Sequence, residues 1–214
     1  MKAEVLKALA ETRLVAIIRG MDPEICVRLA EAYAEGGIRL VEVTFDQTGD
    51  PAKTIAAIRA IREGFSGRLH VGAGTVLTDA QLQAVIDVGG EFMVTPSVNP
   101  KLIAKASAAG LATMPGAFTP TEIVTAHEAG ADIVKVFPVR SLGPQYVKDV
   151  LAPLKHISLM AVGGVNPDNA ADYLRAGCVG AGVGGNLTNK EWIASGAWDK
   201  IAEVARSLVE NSKI

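Results

Sequence analysis

At 214 residues the chain is long enough for one domain with a sizeable core, and 49% hydrophobic with 21% charged residues leaves no compositional case for disorder. The formal net charge of -2, with no basic stripe along the sequence, excludes a nucleic-acid footprint and points to small solutes as partners. No apolar stretch approaches the length of a membrane span, so no membrane partner is expected.

In chain order, "MKAEVLKALAETR" comes first, and its interspersed acidic residues make it an amphipathic helix rather than a signal peptide. A single theme then repeats: a short apolar strand, a loop with Gly, Pro, Asp or Thr, and an Ala-rich helix. The strands are predicted at 14 to 19, 40 to 45, 69 to 74, 92 to 96, 112 to 116, 133 to 137, 159 to 164 and 180 to 185. Helix starts follow in "DPEICVRLAEAYAEGG", "TDAQLQAVIDVGG", "TPTEIVTAHEAGA" and "NPDNAADYLRAGC", where Asp, Thr or Asn serves as N-cap, Pro occupies the first turn in most, and Gly lies just past the end.

Eight such units describe an α/β fold, a (β/α)8 barrel with an N-terminal capping helix, spanning 1–214 as a single domain. An open doubly wound sheet is disfavoured because "IIRGMDPE" after the first strand lacks G-x-G-x-x-G. The first helix is expected to cover the bottom of the barrel, and 190 to 212 to close the ring. Cys26 and Cys178 stand alone on helical segments, which fits a reducing cytoplasm rather than a disulfide scaffold. His70, His127 and His156 have no metal-ligand spacing, so no catalytic metal is expected.

Two charges contradict the apolar pattern. Lys135 stands inside "IVKVFPV" and Glu42 inside "LVEVTF", both strands that read as buried on two faces. Alternation puts Lys135 on the face of Ile133 and Phe137, and Glu42 on the face of Leu40 and Thr44, so both point at the barrel axis. A buried structural ion pair is the plain alternative, but such pairs stabilise poorly once desolvation is counted. A Lys in a dry pocket becomes a free amine nucleophile, with catalytic lysines tuned to roughly pH 7 to 8, and a nearby carboxylate can move the protons that imine formation needs.

The strand ends agree with that chemistry. Arg19, Thr75 and Pro96 follow strands 1, 3 and 4 at the C-terminal rim, where barrel enzymes keep their active sites, and a guanidinium there can hold a carboxylate. "AVGGVNPDN" and "GVGGNLT" place Gly163, Gly164, Gly184 and Gly185 in the loops after strands 7 and 8, where backbone N–H groups can approach a phosphate.

These segments, in order and spacing, resemble the 2-keto-3-deoxy-6-phosphogluconate / 4-hydroxy-2-oxoglutarate (KDPG/KHG) aldolases nearly end to end. The carriers are "VAIIRG", "VEVTF", "GAGTVL", "VTPSVNP", "MPGAFTPTE", "VKVFP", "GPQYVK", "AVGGVNPDN" and "GVGGN". The resemblance implies a class I aldolase that releases pyruvate and an aldehyde from a small 2-oxo acid, works as a homotrimer and needs no metal or other cofactor. It implies Lys135 as the imine-forming residue, Glu42 as general acid/base, and Arg19 and Thr75 on the substrate carboxylate. Pro96 and Phe137 would shape the pyruvate pocket, and the four glycines would line the distal phosphate or carboxylate site.

Three positions depart from the commoner pattern. Asp46 stands where some members carry arginine, and Gly185 where many carry serine. Val162 replaces a threonine of gluconate-type members and matches galactonate-type relatives, so 2-keto-3-deoxy-6-phosphogalactonate (KDPGal) is the alternative substrate. A non-catalytic sugar-acid sensor would be expected to lose Lys135 or Glu42, and a phosphate-binding isomerase has no use for the interior Lys.

Overall fold

The computed structural model describes residues 1–213. Its strands run β1 (Leu14–Ile18), β2 (Leu40–Thr44), β3 (His70–Gly74), β4 (Phe92–Val94), β5 (Ala112–Met114), β6 (Gly116–Ala117), β7 (Val134–Val136), β8 (Leu159–Val162) and β9 (Gly180–Val183). Among the described residues they form one sheet in the order β5-β4-β3-β2-β1-β9-β8-β7-β6, with every pairing parallel. Because β5 and β6 are two halves of a single strand, this order closes the sheet into the (β/α)8 barrel that the alternation implied.

The division of that fifth strand corrects the expected continuous run at 112 to 116. Pro115 has no N–H to offer the ladder. Its carbonyl still accepts from Lys135 N at 2.8 Å, while Gly116 N turns to Thr95 Oγ1 at 3.3 Å. Pairing therefore resumes at Gly116 beside Lys135.

Five helices start where an N-cap side chain accepts from a first-turn N–H group, at Asp50, Thr78, Asn99, Thr119 and Asn189. Helices α1 (Lys2–Thr12), α2 (Pro23–Glu35), α3 (Pro51–Gly64), α4 (Asp79–Asp87), α5 (Pro100–Ala108) and α6 (Pro120–Glu128) are joined by α7 (Gly143–Leu151), α8 (Ala170–Arg175), α9 (Lys190–Ser195) and α10 (Trp198–Asn211). Thr78 with Gln81, and Thr119 with Glu122, form capping boxes. Asp22 caps nothing with its side chain and instead meets Lys53 at 2.7 Å.

A second correction concerns "NPDNAADYLR". The helix begins at Ala170, not at Pro167, because Asn166 Oδ1 accepts from the N–H groups of Asp168 and Asn169 and holds a turn there. At the C-terminal end, Gly196 in the left-handed region separates α9 from α10, so two helices occupy the stretch that was to close the ring.

The side chains sort into two apolar layers. Val41, Val43, Val134 and Val136 face the helices, whereas Val15, Leu40, Phe92, Met114 and Met160 fill the barrel interior. Val5, Ala8 and Leu9 of α1 join that interior layer, so the first helix plugs the N-terminal mouth. Lys2 fixes it there through Asp132 at 2.9 Å. With that end shut, the C-terminal mouth is the open one. Among the described residues no helix is long and apolar enough to cross a membrane, and no group of three or more His, Cys, Asp or Glu could hold a metal.

Candidate active site

Lys135 is the central residue of β7 and is only 5% exposed. Its neighbours Val134 and Val136 belong to the outer layer, so its stem lies inward, with Nζ 4.7 Å from the Phe137 ring centroid. Burial pushes the proton affinity of its amine down, the negative charge of Glu42 raises it, and Arg19 lowers it further.

Glu42 occupies the same position on β2 and is 2% exposed. Burial raises its pKa, while Lys135 and Arg19 pull it down to a lesser degree. Both groups thus have their charged forms destabilised by the same dry interior. An amine and a carboxyl whose charged forms the interior disfavours are suited to passing protons to and from a bound substrate.

The placement of Glu42 depends on two glycines that the sequence did not single out. On β3 the inward positions are Gly72 and Gly74. A Cβ on Gly72 would collide with Phe92, and one on Gly74 would overlap the Glu42 carboxylate itself. Small residues at alternate strand positions were the available signal. Thr44, the next inward residue of β2, has a buried Oγ1 with no protein partner, which leaves a hydroxyl for a ligand or water.

Arg19, Phe137, Val162, Gly163, Gly164, Gly184 and Gly185 come together around one cleft of about 510 Å³ at the C-terminal mouth. Gly163 and Gly164 have φ of 96° and 94°, which only glycine adopts without strain. Val162 sits low in the cleft against Gly182, where a Cβ would lie 2.9 Å from Val162 Cγ2. Asp46 folds back on its own loop, accepting from Thr48 N at 2.9 Å and Thr48 Oγ1 at 2.8 Å, and Arg19 acts electrostatically on the Glu42 carboxyl.

Thr75 and Pro96 do not line that cleft. They end β3 and β4 on the far side of Glu42 from the glycine loops. Thr75 has φ of 55°, a strained conformation for a β-branched residue that costs on the order of 1–3 kcal/mol and is typical of functional rims. The Pro96 carbonyl packs where a Cβ on Gly116 would otherwise stand. A groove of about 590 Å³ runs beside the plugging helix α1 at the opposite, closed end, lined by Glu4, Lys7, Glu11, Arg39, His70 and Glu91 among others. Its charges are mixed and it lies at the end of the barrel where conserved chemistry does not collect.

A parallel barrel with a buried amine and carboxyl at its open mouth defines the chain as a (β/α)8-barrel enzyme, and comparison with known proteins makes it a lyase of the aldolase class. The model for "Aldolase: KDPG and KHG aldolase" matches residues 5–204, and the chain belongs to that family. It is 38% identical over 175 residues to the 2-dehydro-3-deoxy-6-phosphogalactonate aldolase of Escherichia coli (strain K12), covering 81% of this chain and 83% of that one. It is 31% identical to the 2-dehydro-3-deoxy-phosphogluconate aldolase of Haemophilus influenzae, covering 97% and 96%. A crystal structure of KDPG aldolase from Legionella pneumophila, with pyruvate captured at low pH as a covalent carbinolamine intermediate, superposes with a TM-score of 0.83 at 25% identity, covering 94% and 96%.

Proposed function

We propose that the chain is a single-domain class I aldolase that cleaves 2-keto-3-deoxy-6-phosphogluconate or a related 4-hydroxy-2-oxo acid to pyruvate and an aldehyde through an imine on Lys135. The carrying observation is a lysine 5% exposed on an inward strand position that interacts electrostatically with Glu42, itself 2% exposed. The pyruvate carbinolamine of the Legionella relative supports the same chemistry.

In this reading the Lys135 amine adds to C2 of the 2-oxo acid. Glu42 donates the proton with which the carbinolamine hydroxyl leaves as water. The resulting protonated imine accepts the electron pair of the C3–C4 bond as it breaks, while Glu42 takes the C4 hydroxyl proton and the aldehyde departs. Protonation of the enamine at C3 and hydrolysis then free pyruvate and restore the amine. Thr75 and Pro96 would bound the pyruvate half from β3 and β4, and Phe137 from β7. The four glycines would line the distal site with backbone N–H groups. A substrate panel read out by pyruvate release tests the assignment, and absence of pyruvate from every 4-hydroxy-2-oxo acid would contradict it.

Arg19 would hold the carboxylate common to all these substrates. Arg19→Ala is expected to weaken pyruvate binding by about 1.5–3 kcal/mol, the worth of a charge-assisted hydrogen bond. Unchanged inhibition by pyruvate would make Arg19 a rim charge only.

A second reading, the galactonate-type acid as preferred substrate, is favoured by Val162 and by the 38% identity to a galactonate-type relative. Threonine at 162 could donate to a substrate hydroxyl near C4, and valine cannot. Val162→Thr is expected to move the ratio of kcat/KM for the two C4 epimers towards the gluconate form. An unmoved ratio would remove Val162 from the specificity determinants. The family likeness also supports a cytoplasmic homotrimer.

A further inference from the structure

The loop after β2 is exposed from 46 to 50, yet one of its side chains reaches back to the rim of the site. Asp46 stiffens the loop by accepting twice from Thr48, and beside it Gln47 crosses to the end of β3, where its Nε2 donates to Thr75 O at 2.9 Å. Gln47 Oε1 in turn accepts from Gln81 Nε2 at 3.1 Å. Gln81 Oε1 accepts from the N–H groups of Leu77 and Thr78, at 2.8 Å and 3.2 Å, at the start of α4. The polarity of this relay is forced. A carbonyl at one end can only accept and two backbone N–H groups at the other can only donate, so each glutamine turns its nitrogen towards Thr75 and its oxygen towards the cap.

What the relay grips is a strained backbone. Among the described residues two non-glycine positions have positive φ: Arg13 is the C-cap of α1, whereas Thr75, at 55°, ends no helix. Such a conformation persists only where its surroundings over-determine it. Its consequence is a step in the ladder, since Gly74 O accepts from Phe45 N at 2.9 Å but Val94 O of β4 accepts from Val76 N at 3.3 Å. Thr75 is skipped. Among the described residues neither its N–H nor its Oγ1 donates to a protein group, and its carbonyl is taken by Gln47.

We propose that Gln47 is a positioning residue of the active site: backed by Gln81, it holds the Thr75 carbonyl outward and so keeps the Thr75 N–H and hydroxyl free for the substrate carboxylate. Resting on the aldolase reading, in which Thr75 bounds the pyruvate half, this relay acts through Thr75 and never touches substrate. Without it, Thr75 would relax towards extended backbone and turn its N–H into the ladder. Because the carboxylate is present in ground state and transition state alike, the loss should appear in binding rather than in turnover.

The test measures kcat, KM and the inhibition constant of pyruvate for the full chain beside Gln47→Ala, Gln47→Glu and Gln81→Glu. Gln47→Glu removes the donor and sets a carboxylate against the Thr75 carbonyl. Gln81→Glu keeps the capping box, which glutamate serves as well as glutamine, and removes only the amide N–H behind Gln47. KM and the pyruvate constant are expected to rise together about fivefold in Gln47→Ala, more in Gln47→Glu and less in Gln81→Glu, with kcat nearly unchanged. Combining Gln47→Ala with Gln81→Glu should cost no more than Gln47→Ala alone, since both act through one relay. A lowered unfolding temperature with an unmoved pyruvate constant would make the relay structural only and overturn the proposal, as would a fall in kcat at constant KM. Borohydride trapping of pyruvate on Lys135 separates the two ideas: trapping in the parent chain with unchanged constants in Gln47→Ala refutes the relay alone, and no trapping in the parent chain refutes the aldolase reading beneath it.

Discussion

Lys135→Met is expected to lower turnover by more than about four powers of ten, because no other group can form the covalent bond to C2. Methionine matches the length and the apolar stem of lysine, and the 5% exposed position accepts it without a cavity. The same variant has a thermodynamic signature. Since burial holds the Lys135 pKa below its usual value, the unfolded chain binds the proton more tightly than the folded one between that lowered value and about 10.4. Stability due to this residue therefore rises with pH across the window, and the rise should vanish in Lys135→Met. Urea unfolding at several pH values gives the slope, and pyruvate release gives the turnover. Near-native turnover would exclude Lys135 as nucleophile.

Glu42→Gln should leave the barrel folded and cut turnover by roughly two to four powers of ten, the usual worth of a positioned acid/base. The amide keeps the shape of the carboxyl, and the space over Gly74 that admits one admits the other. Burial raises the Glu42 pKa, so between about 4.3 and that raised value the folded state holds a proton the unfolded state has released. Stability from this group falls as pH rises through that window. Glu42→Gln should remove the fall and make the protein more stable at neutral pH while disabling it. Retention of turnover would place the proton shuttle elsewhere.

The barrel was legible because each unit carries its own punctuation. Thr78 and Thr119 announce helices whose third residues, Gln81 and Glu122, complete the caps, and the strands between them are apolar on both faces. Lys135 and Glu42 were legible for the opposite reason, as charges that contradict the strands holding them. What escaped depends on contacts between units. The strand break at Pro115 follows from one missing N–H whose ladder partner is set by closure of the barrel. The need for glycine at 74 comes from a carboxylate on the neighbouring strand, and Gln47 acquires meaning only when the end of β3 brings the Thr75 carbonyl against it. Local pattern gives neither contact.

The most direct test of the central claim is borohydride reduction of the chain in the presence of pyruvate, followed by peptide mapping. Reduction should fix one pyruvyl group per chain on Lys135 and abolish activity in proportion, with Lys135→Met unlabelled. An adduct on any other residue, or no adduct in a chain that still cleaves its substrate, would contradict an imine at Lys135.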